Sequence, residues 1–300
     1  MHSVKKSFLF LLAALFAAAG CSQQKILPPE PVQGEILKSL GLNILASGEK
    51  RLTIQQDMTK ISLFKEKKGV DFNGVAVYLP DPVKVSDKNV WEISERSADT
   101  ILKPLLEKRN FSIRKIIIDP GHGGNDPGVI SPHGVSEKHL NLLLAQSVAN
   151  ELKKSGFEVA LTREKDVFIP LDKRVEDLDK NKFDLFISIH HNSSARTTAS
   201  GLEIFLPEPQ DENSCKRVSQ TAYLAFALHK KLAPLNYFPG RGVKLARFKV
   251  LRLAKVPALL IEVGFLNHPM ESAYLATAYF RKNFAAALTQ EITAFASEQR

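Results

Sequence analysis

The chain has 300 residues, 44% of them hydrophobic, which is enough to bury one ordinary domain and a smaller unit. Its formal net charge of +9 suits nucleic acid, an anionic membrane surface or an anionic polymer such as a bacterial wall. The sequence contains one Trp, no run of five or more basic residues and no basic helix bearing aromatic side chains. These features argue against a nucleic-acid partner.

The first 20 residues are typical of a secretion signal. His2, Lys5 and Lys6 precede an apolar run over residues 8–20, which is too short to span a membrane. The run ends in Ala-Ala-Gly before Cys21, and this ending resembles a bacterial lipoprotein signal, in which the cysteine becomes the lipidated first residue. The alternative is ordinary cleavage at the same place, which leaves Cys21 free. Either route exports the protein, and we expect it to be a membrane-anchored lipoprotein of the envelope or periplasm.

Two short regions follow the signal. Residues 21–34 contain three prolines and predict a tether. Residues 35–110 predict a small α+β module, with a turn at residues 71–74 and a helix over residues 97–108 that Pro104 would kink. Its strands are predicted at residues 52–55, 61–64, 75–79 and 90–93. The module contains neither His nor Cys, so its role and ligand stay open.

The rest of the chain, residues 115–298, alternates strands with helices. This alternation predicts an α/β fold with a doubly wound, mostly parallel sheet and helices on both faces. Strands are predicted at residues 115–118, 158–161, 183–190, 202–206 and 258–263. Helices are predicted at residues 136–155, 171–181, 214–232 and 279–296.

Three polar stretches directly follow or end the apolar strands of this domain. They contain His122, the adjacent pair His190 and His191, and Glu262. In parallel sheets the functional residues gather at the carboxyl ends of the strands. Two histidines and a carboxylate suit zinc, and one further carboxylate suits a general base. The strand ends by themselves therefore predict metal-assisted hydrolysis.

Each candidate also has a structural explanation. The glycines around His122 could form a phosphate-binding turn, although no Gly-Lys-Ser/Thr or G-x-G-x-x-G pattern supports this. Glu137 opens a predicted helix, where a carboxylate favours the helix dipole without any chemistry. His190 and His191 point to opposite faces of a strand, and alternation does not decide which one faces the site.

Glu262 is the hardest candidate to explain structurally, because it lies inside an otherwise apolar strand. An unpaired buried charge is costly, so this carboxylate needs a partner. A salt bridge to Arg163, Arg174 or Arg241 would be the structural explanation.

Seven ordered motifs resemble those of the zinc-dependent N-acetylmuramoyl-L-alanine amidases of the type-3 family. They are IIIDPGHGGNDPG at residues 116–128, EKHLNL at 137–142, LTREKDVFIPLDKRV at 161–175, LFISIHHNSS at 185–194, GLEIF at 201–205, RGVKLA at 241–246 and VPALLIEVGFLN at 256–267. The resemblance implies that His122, Glu137 and His190 bind Zn²⁺ and that Glu262 is the catalytic general base and acid. It also implies that residues 115–298 are an amidase domain that cuts the bond between N-acetylmuramic acid and L-alanine. His191 departs from the family, which commonly has Ala at that position.

The resemblance carries expectations about control and partners as well. Cell-division members of the family have a long helical insert that plugs the zinc, whereas residues 206–241 have room for one ordinary helix. We therefore expect no plug, a peptidoglycan substrate and a monomer attached to the membrane through lipidated Cys21. The competing functions are a zinc peptidase of other cell-wall specificity and a non-catalytic wall-binding lipoprotein. An activator, the stem-peptide preference and the identity of the membrane stay open.

Overall fold

A mixed sheet of eleven strands runs through residues 32–297, the part of the chain that the computed structural model describes. Three further short strands form a small second sheet. In chain order the strands are β1 (Val32–Gln33), β2 (Asn43–Gly48), β3 (Arg51–Gln56), β4 (Thr59–Phe64), β5 (Gly69–Phe72), β6 (Val75–Tyr78), β7 (Lys84–Val85), β8 (Val90–Glu92), β9 (Lys115–Pro120), β10 (Glu158–Leu161), β11 (Leu185–Asn192), β12 (Glu203–Pro207), β13 (Val243–Ala246) and β14 (Ala258–Phe265). The helices are α1 (Glu35–Ser39), α2 (Glu95–Ser97), α3 (Lys103–Leu106), α4 (Glu137–Lys154), α5 (Glu212–Leu232), α6 (Lys249–Leu253), α7 (Pro269–Leu275) and α8 (Ala278–Ser297). A π-helical turn at Ala98–Leu102 joins α2 to α3, and a 3-10 turn at Ala233–Leu235 follows α5.

The C-terminal half of the large sheet has the order β10-β9-β11-β14-β12-β13. All neighbours in it are parallel except β12 and β14, which are antiparallel. Helices or loops cover both faces of the central strands β9, β11 and β14. Strands buried on both faces have nearly continuous apolar sequences, as these three do. The prediction of a mostly parallel α/β fold is confirmed.

The helices of this half follow their sequence patterns. In α4 the side chains of Leu140, Leu144, Val148 and Leu152 are at most 2% exposed and form the stripe that packs on the sheet. Helix α5 begins with a capping box between Asp211 and Ser214. Helices α4, α5 and α8 share one core, while the short α6 contributes to a second core on the other face of the sheet.

The N-terminal strands β2 to β6 form antiparallel hairpins that extend the same sheet. The predicted turn between β5 and β6 is confirmed, since Asn73 and Gly74 adopt the positive φ values of 50° and 85° that a tight hairpin needs. Strand β6 joins β13 through the pair Val77 and Val243. The predicted module, residues 35–110, therefore contributes strands to the same sheet as the C-terminal half. The division into domains stays a prediction.

One predicted helix is wrong. Residues 171–181 form a series of turns, with positive φ at Asp177. The side chains of Val175 and Leu178 are buried at a spacing of three residues, which also occurs in helices and accounts for the error. The guanidinium of Arg174 points inward to Asp119, 2.9 Å away, and ties this segment to the end of β9.

The signal and most of the tether lie outside the described residues. Val32 and Gln33, at the end of the predicted tether, form β1 and pair with β8. No helix within residues 32–297 is both long and apolar enough to cross a membrane.

Candidate active site

Three side chains predicted to bind zinc meet at one edge of the sheet. His122 lies in the loop after β9, Glu137 is the first residue of α4, and His190 lies near the end of β11. One potential ligand atom from each residue lies within 4.8 Å of the others. The Glu137 carboxylate is the centre of the group, with Oε2 3.1 Å from His122 Nε2 and Oε1 2.9 Å from His190 Nδ1. The strand ends thus converge as the sequence predicts.

Two glycines make room for this cluster. A Cβ atom at Gly121 would lie 2.1 Å from Cε1 of His190, and one at Gly128 would lie 2.5 Å from Oε2 of Glu137. Either contact would push a cluster side chain out of place. The loop glycines therefore admit the cluster, and nothing about them requires a phosphate.

The backbone and the neighbours of His122 hold its ring in position. His122 has a φ of 61°, an uncommon conformation for a residue with a side chain. Its Nδ1 lies 2.8 Å from Oδ2 of Asp126, which leaves Nε2 directed at Glu137. A histidine that binds a metal through one nitrogen and a carboxylate through the other is a common arrangement in metal sites.

The charges in the cluster stabilise one another. Burial disfavours charge on His122, but its hydrogen bonds and ion pairs with Glu137 and Asp126 prevail and raise its pKa to about 9. Burial likewise opposes ionisation of Glu137, yet the two histidines hold the pKa of this carboxyl well below its usual range. The cluster is thus a carboxylate between two imidazoles that take up protons, and a divalent cation can replace those protons. These are donors that zinc accepts, and three of them leave a fourth position open.

Glu262 lacks the side-chain hydrogen bonds and ion pairs that hold Glu137 among the described residues. It pairs in register with His190 of β11 on one side and with Glu203 of β12 on the other. Its Oε2 is buried and has no hydrogen-bond partner within the described residues. Burial raises the pKa of Glu262 to about 7. The negative charges of Glu137 and Glu203 add to this effect, and the positive charge of His190 opposes it.

The salt bridge considered for Glu262 is not formed. Arg163 donates to the backbone carbonyls of Pro120 and Gly121. Arg174 is paired with Asp119, and Arg241 with Glu203. The structural explanation for Glu262 is therefore wrong, and the carboxylate faces the cluster with one oxygen unpaired.

His191 is separate from the cluster. Its side chain is buried, its Nδ1 lies 2.7 Å from Oδ1 of Asn141, and burial lowers its pKa to about 4. Asn141 in turn donates to Oε1 of Glu137 at 3.2 Å, as does the backbone N–H of His191. His191 therefore helps to orient Glu137, and its ring lies on the face of β11 opposite to that of His190.

Sequence reasoning missed two residues that support the site. Asn141 follows Glu137 by one helical turn, and a polar residue in an otherwise apolar stripe was the available signal. Asp119 is 1% exposed and accepts hydrogen bonds from Thr162, Arg174 and Ser188. It anchors the loop that carries His122. Its position near the end of an apolar strand was the only sequence feature that pointed to it.

Comparison with known proteins decides the family. The model of the N-acetylmuramoyl-L-alanine amidase family matches residues 116–294, which is more than half of the chain. The chain belongs to the type-3 N-acetylmuramoyl-L-alanine amidase family. The predicted family and enzyme class are thereby confirmed. The match begins at residue 116, so strands β1 to β8 lie outside it.

Individual relatives agree with this assignment. The chain is 31% identical over 225 residues to the N-acetylmuramoyl-L-alanine amidase AmiA of Escherichia coli K12, covering 63% of this chain and 78% of AmiA. It is 31% identical over 220 residues to AmiC of Neisseria meningitidis, covering 61% of this chain but only 53% of AmiC. The catalytic domain of CwlV, an amidase from Bacillus (Paenibacillus) polymyxa, superposes with a TM-score of 0.54 at 32% identity over 62% of this chain and 99% of the domain.

Proposed function

We propose that this protein hydrolyses the amide bond between the lactyl group of N-acetylmuramic acid and L-alanine in peptidoglycan, with zinc bound by His122, Glu137 and His190. The observation that supports this most is the convergence of three donor atoms within 4.8 Å beside an unpaired carboxylate. When bound, zinc would polarise the amide carbonyl and lower the pKa of a water molecule. Family membership supplies the substrate class.

Glu262 is proposed as the general base and acid. A carboxyl with a pKa of about 7 is present in both protonation states near neutral pH, so it can accept a proton from water and return it to the leaving amine. Its strand holds it beside His190, and burial raises its pKa. Its unpaired Oε2 is the atom that would carry the proton.

The cluster is proposed to be active without removal of a plug. Within residues 206–241 the helical structure is limited to α5 and the 3-10 turn, and α5 packs in the same core as α4 and α8. The side chains of His122 and His190 keep 25% and 20% of their surface exposed. A substrate can therefore approach the cluster in the conformation described here.

Digestion of purified peptidoglycan followed by mass spectrometry tests the function. We expect glycan strands whose N-acetylmuramic acid residues carry free lactyl carboxylates, together with intact stem peptides that begin with L-alanine. The activity should be lost on chelation and restored by zinc. His139→Ala is a matched control, because His139 is an exposed histidine on α4 and should leave the products unchanged. New peptide ends in place of lactyl ends would indicate the zinc peptidase, and no products with zinc present would indicate a non-catalytic protein.

We propose further that Cys21 is lipidated and anchors the protein in the envelope. The support is the sequence before Cys21, which lies outside the described residues. Replacing Cys21 with Ser in the full precursor should move the protein from the membrane fraction to the soluble fraction. A wild-type protein that is already soluble would refute the anchor.

A further inference from the structure

The N-terminal strands lie in fixed register against the catalytic sheet. Strand β6 pairs with β13 at Val77 and Val243. Gly242, with a φ of 89°, allows this contact, since a Cβ atom there would lie 2.1 Å from the carbonyl oxygen of Ala76. Behind the sheet, the rings of Phe72 and Phe226 meet edge to face at 5.1 Å. The contact between module and catalytic domain is thus closely packed on the sheet and behind it.

Tyr78, a residue of the module, lies on the same face of the sheet as Glu262. Glu262 pairs in register with Glu203, whose Oε1 lies 2.6 Å from Nζ of Lys244. Nζ of Lys244 is 6.0 Å from the centre of the Tyr78 ring. The Tyr78 ring lies over Gly69, and 38% of the residue is exposed. A line of side chains therefore runs from Glu262 through Lys244 to an exposed aromatic ring of β6.

The length of this line matches the length of a stem peptide. Strands β14, β12, β13 and β6 are consecutive in the sheet, so Tyr78 lies three strand spacings across the sheet from Glu262 and, by the register of the pairs, two residues along it. At about 4.8 Å for each spacing and about 3.4 Å for each residue, the two Cα atoms are about 16 Å apart. A stem peptide of about four residues spans about 13 to 14 Å when extended. A peptide whose first amide lies at the cluster would therefore end within reach of the Tyr78 side chain.

The charges along the line suit an anionic peptide. Arg241 and Lys244 both contact Glu203, so these three side chains together carry one net positive charge. Stem peptides carry free carboxylates, which such a pair attracts. An exposed tyrosine beside them offers an apolar surface with a polar end, as is common in binding sites.

We propose that Tyr78 and Lys244 form a subsite for the far end of the anionic stem peptide, so that the module completes the substrate cleft of the amidase domain. This proposal rests on the proposed function. The subsite would give residues 35–110 a role in selecting the length of the substrate peptide. These residues lie outside the family match, which begins at residue 116.

Kinetics on two defined substrates test the subsite, namely N-acetylmuramoyl-tetrapeptide, which can reach Tyr78, and N-acetylmuramoyl-dipeptide, which cannot. We expect Tyr78→Ala to lower kcat/KM for the tetrapeptide by about 10-fold, mainly through KM, because truncation of an interface tyrosine commonly costs that much. The dipeptide substrate should change less than about 2-fold. Tyr78→Phe should restore the tetrapeptide activity, and Tyr279→Ala, at an exposed tyrosine of α8, is the control.

A second measurement needs no variant. The free tetrapeptide should inhibit the wild-type enzyme at about 10-fold lower concentration than the free dipeptide. Equal inhibition by the two peptides, equal losses on both substrates, or no loss on either would overturn the subsite. An effect of Tyr78→Ala confined to polymeric peptidoglycan would assign this face to the glycan and also overturn it. A wild-type enzyme that cleaves neither substrate while binding the tetrapeptide would refute the proposed function and leave the subsite standing.

Discussion

Two carboxylates of the site, Glu137 at the start of α4 and Glu262 in β14, are both largely buried and differ in their partners. Glu137 accepts hydrogen bonds from Asn141 and from the backbone N–H groups of Val129 and His191, and it contacts both cluster histidines. Its pKa is therefore lowered, whereas the pKa of Glu262, with an unpaired oxygen, is raised to about 7. The same residue type therefore has a lowered pKa in one place and a raised pKa in the other. This difference supports the proposal that Glu137 is a ligand and Glu262 the base.

Removing the carboxylate proposed as the general base should have the largest effect. Glu262→Gln keeps the shape of the side chain but cannot accept a proton, so amide hydrolysis should fall by about 10²–10⁴-fold while zinc stays bound. Turnover and metal content should be measured on the same preparation of folded protein. Wild-type turnover would refute the mechanism, and a joint loss of zinc and activity would make Glu262 a ligand.

The matched substitution at the other carboxylate should act through the metal. Glu137→Gln removes the charge between His122 and His190, and zinc affinity should fall by more than about 100-fold, since even residues outside the ligand set can cost 10–100-fold. Titration with a competing chelator measures the affinity. His139→Ala is the control, because His139 is an exposed histidine of the same helix and should leave zinc stoichiometry at one per chain. Zinc retained at wild-type affinity by Glu137→Gln would overturn its assignment as a ligand.

A smaller effect is expected from the residue that orients His122. Asp126→Ala removes the carboxylate 2.8 Å from Nδ1 of His122, and zinc affinity should fall by about 10–100-fold. The same titration gives the value, with Asp172→Ala as an exposed carboxylate control. An unchanged affinity would show that the backbone alone holds the ring.

The zinc-free protein should also lose stability at alkaline pH. The pKa of His122 is raised from 6.5 to about 9, so its charge stabilises the fold fully below pH 6.5 and ceases to do so as the pH rises through 9. The loss should be on the order of 2 kcal/mol after allowance for partial exposure. Urea unfolding at pH 6 and pH 9.5 with a chelator measures it. The zinc-loaded protein should lack this loss, because the metal binds the neutral imidazole; an equal loss in both forms would contradict the account.

The accuracy of sequence reasoning varied with the length of the pattern. The long apolar strands and α4 were placed within about two residues, because burial on one or two faces leaves a strong periodic signal. Short elements were missed, among them β13, α6 and α7, since four to seven residues carry little periodicity. Residues 171–181 were misread because Val175 and Leu178 are buried by turns at helical spacing.

The sequence by itself determined the α/β class of the C-terminal half, the family and the four candidate site residues. Ordered motifs and apolar runs are local properties, so they can be read along the chain. Only the tertiary structure decided that Glu262 lacks a salt bridge, since its three possible arginine partners all bind elsewhere. Only the tertiary structure joined the module to the catalytic sheet, because the pairing of Val77 with Val243 connects strands more than 160 residues apart. Contacts of that kind depend on how the whole chain packs, and no local pattern records them.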